Sequence, residues 1–241
     1  MEADHRDPTP PEGLRELWPD LDAVPGWLTL AQAVDLWDAV AAAPAHPVVV
    51  EVGSHHGRST VVLASARTDV RVTAVDPFVT ARLFAGPSVR EAFEATVRRF
   101  DVTDRVHLRV TTSRAARAGW SGPVDVVYVD GKHDVLTVGD DLRWVDHVRG
   151  GGTVLVHDAF SSVGVTLGLL LHALPSSRLR YTGRTGSLAR FVVAPPTLRD
   201  RLRLVTELPW FARNVVVKVL LRLRLRAVAR RLGHADSYDP Y

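Results

Sequence analysis

The sequence contains no cysteine, one methionine and only two lysines, Lys132 and Lys218, among its 30 basic side chains. Without cysteine there is no disulfide, no thiolate metal site and no cysteine nucleophile. No stretch reaches the roughly 18 uninterrupted apolar residues that a membrane-spanning helix requires. Residues 1–13 are acidic and proline-rich, with no apolar core behind a basic start, so they do not read as a signal peptide. The expected compartment is the cytoplasm. The excess of arginine over lysine fits a GC-rich coding bias better than it fits a function.

The 241 residues are 46% hydrophobic and 24% charged, enough apolar material for one large domain or one domain with an appendage. The net charge of +3 is unevenly spread. Residues 1–198 carry 20 basic and 23 acidic side chains, about −3, whereas residues 199–241 carry 10 and 4, about +6. A basic tail on a mildly acidic domain is not the basic face of a nucleic-acid binder, so no nucleic-acid partner is expected.

Residues 1–25 read as a loose leader, because Pro8, Pro10, Pro11, Pro19 and Pro25 discourage helix. A helix capped by Thr29 follows, with Leu30, Val34 and Trp37 at helical spacing, ended by Pro44 and Pro47. Val48–Val52 is a short β-branched run typical of a strand buried on both faces. Strands at 70–75, 106–110, 124–129 and 153–156 then alternate with helices at 59–66, 88–100, 136–148 and 163–174, with Gly150-Gly151-Gly152 turning the chain into the fifth strand. Two more strand-like pieces, 179–182 and 188–193, precede Pro195-Pro196. The expected architecture is α/β: a Rossmann-like, doubly wound, mostly parallel sheet with a C-terminal antiparallel strand. Three regions follow: a leader over 1–28 that can act as a lid, a domain over 29–196, and a basic helical extension over 197–241.

In such a sheet, ligands bind beyond the carboxyl ends of the strands. Acids stand at four of these ends: Glu51, Asp76, Asp130 and Asp158. Any one of them could be a helix cap, but four at one edge form a pattern. The turn after the first strand, Glu51-Val-Gly-Ser-His-His-Gly-Arg-Ser-Thr60, is neither the G-x-G-x-x-G of a dinucleotide fold nor a P-loop. Glu51 beside the glycines disfavours pyrophosphate and favours a ligand with positive charge. Asp76, 25 residues on, stands where an acid takes ribose hydroxyls. A nucleoside with a cationic tail, such as S-adenosylmethionine, meets both conditions.

The stretches VVVEVGSHHGRST, VTAVDPF, RVHLRVTTS, VDVVYVDGKHDVLTVGDDLRW and GGTVLVHDAF together resemble a class I S-adenosylmethionine-dependent methyltransferase. Within that superfamily they are most similar to the catechol-type and macrocin-type O-methyltransferases. The resemblance spans roughly 48–160. It implies that Glu51, Gly53, Ser54, Gly57 and Ser59 line the methionine end of the cofactor, that Asp76 binds the ribose, and that Thr112 and Ser113 lie against the adenine. It further implies that Asp130, at the cofactor's edge, and Asp158 bind a divalent metal, Mg²⁺ by analogy, and that His133 is the general base. The catechol type has an amide side chain after the second acid, where Ala159 stands here, and the macrocin type has an acidic pair where His157-Asp158 stands here. The third ligand is thus open, with His157 either a ligand or a hydrogen-bonding neighbour of one. His55 and His56 are expected in contact and packing roles, and Lys132 in solvent.

An alcohol is a poor acid, so a divalent ion that lowers its pKa and an imidazole that takes its proton suit methyl transfer to oxygen. The expected acceptor is a hydroxyl of a small molecule or glycan. Residues 1–28, with Trp27 as a lid residue, and residues 77–88 are expected to shape its pocket. The alternative is a module that binds the cofactor without chemistry; an NAD-dependent oxidoreductase is disfavoured by Glu51 and the glycine spacing. Residues 209–233 read as a basic amphipathic helix: Val217, Leu221, Leu225, Val228 and Leu232 form one stripe and Lys218, Arg222, Arg226 and Arg230 another, with Arg224 interrupting the apolar side. This helix can lie on an anionic membrane surface with Trp210 and Phe211 as anchors, making the enzyme peripheral and the acceptor lipid-linked. Equally it can dock on its own domain or pair in a homodimer.

Overall fold

The computed structural model describes residues 9–78 and 88–233. In chain order it comprises α1 (Glu12–Leu21), α2 (Leu30–Ala41), β1 (Val48–Val52), α3 (Arg58–Ser65), β2 (Arg71–Val75), α4 (Val89–Arg99), β3 (Val106–Arg109), α5 (Ser113–Ala118), β4 (Val124–Val129) and α6 (Val135–Asp141). A 3₁₀ turn (Leu142–Asp146) leads to β5 (Val148–Val156), α7 (Val163–Gly168), a π-helical turn (Leu169–Ala173), β6 (Leu179–Thr185), β7 (Leu188–Val193), α8 (Leu198–Val205), α9 (Leu208–Arg222) and α10 (Arg226–Arg231).

The seven strands form one sheet in the order β3-β2-β1-β4-β5-β7-β6. β1 to β5 pair in parallel, and β7 runs antiparallel to both β5 and β6. The reversal of strand order between β1 and β4 opens a crevice at their carboxyl ends, where α/β sheets bind ligands. Alternate side chains feed two cores. Val49, Val72 and Val126 pack against α1 to α4, while Val50, Val127 and Val154 pack under α6, α7 and the C-terminal strands. The expected sheet and its antiparallel C-terminal strand are what the fold contains.

Several local expectations need correction. The leader is not loose over 12–21: α1 forms despite Pro19, because Leu14 and Leu21, two turns apart, are fully buried against α2 and α3. Burial of that leucine face outweighs the hydrogen bond lost at Pro19. Gly150-Gly151-Gly152 is not a turn before the fifth strand. β5 starts at Val148 and carries the glycines through a register break opposite Val124 and Val126. The helix expected over 136–148 stops at Asp141 and finishes in the 3₁₀ turn.

The tail also departs from a single amphipathic helix. It breaks at Leu223–Leu225, where Arg224 takes a left-handed backbone (φ 60°). Its first half docks on the domain: Val217 is fully buried, and the buried Asn214 amide donates to the Phe160 carbonyl at 3.0 Å. Lys218 Nζ donates to the Ser161 carbonyl at 2.6 Å. Trp210 and Phe211 are not projecting anchors. Both pack on the sheet core, and the Arg184 guanidinium lies 3.7 Å from the centre of the Trp210 ring while ion-pairing with Glu207.

A buried side chain ties the N-terminal segment to the ligand-facing turn. Arg58, at the start of α3, is buried, and its guanidinium donates to the carbonyls of Leu21 (3.2 Å), Asp22, Gly26 (3.0 Å) and Leu28 (3.1 Å). It also pairs with the Asp22 carboxylate at 2.7 Å and lies over Trp18. Arg58→Ala should cost about 2–4 kcal/mol by leaving these carbonyls unpaired. Thermal unfolding will show that loss, and limited proteolysis should show new cleavage within residues 22–28.

Candidate functional site

Beyond the carboxyl ends of β1, β2, β4 and β5 lies a cavity of about 960 Å³, lined by residues 25–28, 52–56, 58–59, 75–77, 112–114, 130–133, 136–137, 140–141 and 157–158 but not by Gly57. Its floor is the β1–α3 turn. Gly53 sits at φ 85°, and a Cβ there would lie 2.1 Å from the Asp130 carbonyl oxygen, so only glycine lets β1 and β4 splay this tightly. Gly57, at φ 87°, caps α3. Asp76 holds the turn from the β2 side: Oδ2 accepts from the Ser54 and His55 amides at 2.9 and 3.0 Å, and Oδ1 accepts from the Phe78 amide at 2.7 Å. The carboxylate thus both faces the cavity and fixes the loop that shapes it.

Glu51 is placed otherwise than expected. It does not line the cavity but lies fully buried beneath the turn, its carboxylate taking the hydroxyls of Ser59 (2.5 Å) and Thr60. Burial pushes its pKa up to about 7 against the opposing hydrogen bonds of Ser59, Thr60 and Ser54, with the Asp130 charge adding to the rise. Ser54 and Ser59 do reach the wall. His55 stacks on His56 with ring centres 4.0 Å apart, and Trp27, 68% exposed, leans on His55 at the rim. Burial and the neighbouring His55 lower the His56 pKa, which accords with a packing role. Residues 1–8 and 79–87, expected to help shape the acceptor pocket, lie outside the described residues.

At the other end, Thr112 caps α5 and Ser113 accepts a hydrogen bond from the buried Trp144 indole at 3.0 Å; both face the cavity. Sequence reasoning missed their neighbour Asp141. It is 1% exposed, and neither carboxylate oxygen has a hydrogen bond of normal geometry, although the nearby Ser113 hydroxyl moderates its pKa. Burial raises that pKa to about 6. The signal was readable, because helical spacing puts Asp141 on the inward stripe with Val138 and Leu142.

The remaining acids meet at the rim. Asp130, Asp158 and His133 each offer a ligand atom, and the three atoms lie within 4.8 Å of one another. His133 Nε2 is 3.0 Å from Asp158 Oδ2. Behind them, the buried His157 places Nδ1 3.3 Å from Asp130 Oδ1 and 3.4 Å from Asp158 Oδ2 without a well-aligned hydrogen bond to either. The Tyr128 hydroxyl donates to Asp130 Oδ2 at 3.0 Å. Burial opposes charge on His157, yet the Asp130 and Asp158 carboxylates outweigh it and raise its pKa well above the usual histidine range. Burial likewise works against the Asp158 carboxylate, but His157, His133 and the Ser161 hydroxyl hold its pKa at about 2. Asp158 and Phe160 both have left-handed backbones (φ 54° and 57°), a strained turn of the kind found at functional sites. Lys132 is exposed and pairs with Asp134.

Glu51 and Asp141 fix a pH response. Between about pH 4.5 and 7 the unfolded chain releases a proton that native Glu51 retains, so stability falls as pH rises through this window, and Asp141 acts in the same sense up to about pH 6. Asp158, at about 2, changes below that range. Glu51→Gln keeps the shape and removes the proton. Chemical denaturation at pH 5 and pH 8 should show a smaller loss in Glu51→Gln than in wild type, by on the order of 3 kcal/mol. An equal loss in both would mean that Glu51 carries no such linkage.

The pattern of a methyltransferase-domain family matches residues 50–159. No curated protein matches the chain. Among solved structures, the chain is similar to an O-methyltransferase from Bacillus cereus in complex with SAH (19% identity, TM-score 0.56, covering 78% of this chain and 94% of that one). It is similar also to the SAH-bound Podospora anserina methyltransferase PaMTH1 (13%, TM-score 0.56, 76% and 88%) and to cofactor-bound Rv0187 from MTB (22%, TM-score 0.51, 79% and 100%). At these identities the likeness is one of fold. Its strand order and its crevice between β1 and β4 are those of the Rossmann-like methyltransferase fold, and residues 50–159 match the methyltransferase-domain pattern.

Proposed function

We propose that the protein transfers the methyl group of S-adenosylmethionine to a hydroxyl of a small molecule or glycan, with a divalent cation held by Asp130 and Asp158 and with His133 as general base. The observation that carries this reading is the meeting of Asp130, Asp158 and His133 at the rim of the cavity. The cavity fits the cofactor in its chemistry: glycine-built backbone at one end, Asp76 for ribose hydroxyls, and a buried, unpaired carboxylate at Asp141. The donor set fits a divalent cation, since two half-buried carboxylates and an imidazole meet at the rim of the cavity. Such an ion, Mg²⁺ by the family resemblance, supplies acidity to an alcohol oxygen.

The chain's own groups supply the rest. His133 is 47% exposed on its side chain and faces the rim, with Nε2 held by Asp158. Nδ1 is then the nitrogen that takes the hydroxyl proton as the oxygen bonds to the methyl carbon. The carbon–sulfur bond breaks, and its electron pair stays on sulfur as the neutral thioether. Trp27 and its neighbours in the clamped 22–28 segment line the cavity.

The exposed Val216, Val219 and Leu223 of the tail, beside Arg222, Arg226 and Arg230, support a peripheral contact with an anionic membrane and hence a lipid-linked acceptor. No helix among the described residues is long and apolar enough to cross a membrane.

S-adenosylhomocysteine, but not NAD, should stabilise the fold by about 2.7 kcal/mol at 100 times its Kd. Asp130→Asn and Asp158→Asn should abolish transfer while leaving affinity for S-adenosylhomocysteine within a few-fold, as calorimetry will show. Full activity of either variant after chelation would refute the metal-assisted reaction. His133→Ala should lower kcat by about 10²–10⁴ with little change in cofactor affinity. Cofactor binding with no transfer to a broad panel of acceptors would favour a non-catalytic module instead.

A further inference from the structure

We infer that His157 is a third protein ligand of the divalent cation, binding through Nδ1, and that this site takes Mn²⁺, Fe²⁺, Co²⁺ or Zn²⁺ in preference to Mg²⁺. The inference rests on the metal-assisted reading and adds the ligand and the class of ion.

A chain of hydrogen bonds starts at a helix cap remote from the acids. The Thr29 backbone N–H can only donate, and it donates to Gln32 Oε1 at 3.0 Å. That contact fixes which end of the Gln32 amide is oxygen, and the other end, Nε2, donates to Ser187 Oγ at 3.1 Å. His157 Nε2 lies 3.3 Å from the same Gln32 oxygen, so it carries a proton and donates it. Gln32, Ser187 and His157 are all buried, so no bulk water rearranges this chain of bonds.

With Nε2 donating to Gln32, Nδ1 is the ring nitrogen turned toward Asp130 Oδ1 and Asp158 Oδ2. This convergence calls for positive charge between the ring and the two carboxylates, and a divalent ion on Nδ1 supplies it in place of a proton. Two ligands each about 2.1 Å from an ion, at 90° to 109°, stand about 3.0–3.4 Å apart. The separations of 3.3 and 3.4 Å fall in that range. An imidazole that donates its far N–H to a carbonyl-type oxygen is the usual support of a metal-bound histidine, and Gln32 supplies that oxygen. Nitrogen in the donor set moves preference away from Mg²⁺, which favours oxygen, toward the first-row transition ions and Zn²⁺. His133 differs from His157 in being half-exposed and held only by Asp158, which leaves it for the proton.

The test uses the full chain, stripped with chelator, with neither methyl donor nor acceptor present. Mn²⁺, Co²⁺ and Mg²⁺ are titrated by calorimetry, and the Co²⁺-loaded protein is studied by X-ray absorption. Wild type should bind Co²⁺ and Mn²⁺ at least about tenfold more tightly than Mg²⁺ and should show imidazole scattering from one histidine. That scattering should persist in His133→Ala and vanish in His157→Ala. Gln32→Leu should weaken Co²⁺ binding by about 10–100-fold. The wild-type spectrum decides the matter even if a His157 variant does not fold. Absence of imidazole scattering, its loss in His133→Ala, equal affinity for Mg²⁺, or no ion binding at all would overturn the inference; the last would mean that a proton on Nδ1 holds the acids together. Ion binding with the His157 signature in a protein whose methyl transfer ignores chelator would instead overturn the metal-assisted reaction alone.

Discussion

Four carboxylates converge on one edge of a parallel sheet, and the molecule satisfies each in a different way. Glu51 is sealed under two hydroxyls and holds its proton to near neutral pH. Asp76 takes three backbone amides and so converts a charge into the shape of a loop. Asp130 and Asp158 share the buried imidazole of His157, with Tyr128 and Ser161 hydroxyls filling other lone pairs. Concentrated negative charge in a low-dielectric crevice is costly unless paired, and a site with this much carboxylate is prepared for a cationic guest. A sulfonium cofactor and a divalent ion both answer that description.

Positioning of the site depends on contacts that lie far apart in sequence. Arg58 gathers the carbonyls of residues 21, 22, 26 and 28 and thereby ties the Trp27 rim to the first residue of α3, next to the glycine turn. The α2 cap performs a parallel service on the other wall, because Gln32 belongs at once to the Thr29 capping box and to the His157 hydrogen bond. Two segments ahead of the first strand thus orient groups that the later strands deliver.

Much of this was legible in the sequence, and the reasons are physical. Buried parallel strands need unbroken β-branched runs, so β1 and β4 were plain, and Thr29 announced the helix it caps. The four acids at strand ends were readable because topology alone places them. What escaped depended on contacts that sequence spacing does not encode. Pro19 argued against α1, whereas burial of Leu14 and Leu21 decided for it. Glu51 could be placed near the turn but not beneath it. Asp141 was the exception, since its inward phase on α6 was readable and alone distinguished it from its neighbour Asp140, which pairs with Arg114 and Arg117. The tail's alternating leucines and arginines could not reveal the break at Arg224, which arises where the chain leaves its docking surface.

That docking surface gives the basic tail a second character. Asn214 and Lys218 of α9 hold the carbonyls of Phe160 and Ser161, immediately after the strained turn that presents Asp158. Anyone shortening the chain at Pro196 to leave a tidy domain would therefore be removing a brace from a carboxylate of the candidate site, not trimming an ornament. The boundary that composition draws between domain and tail is not the boundary of the folded machine.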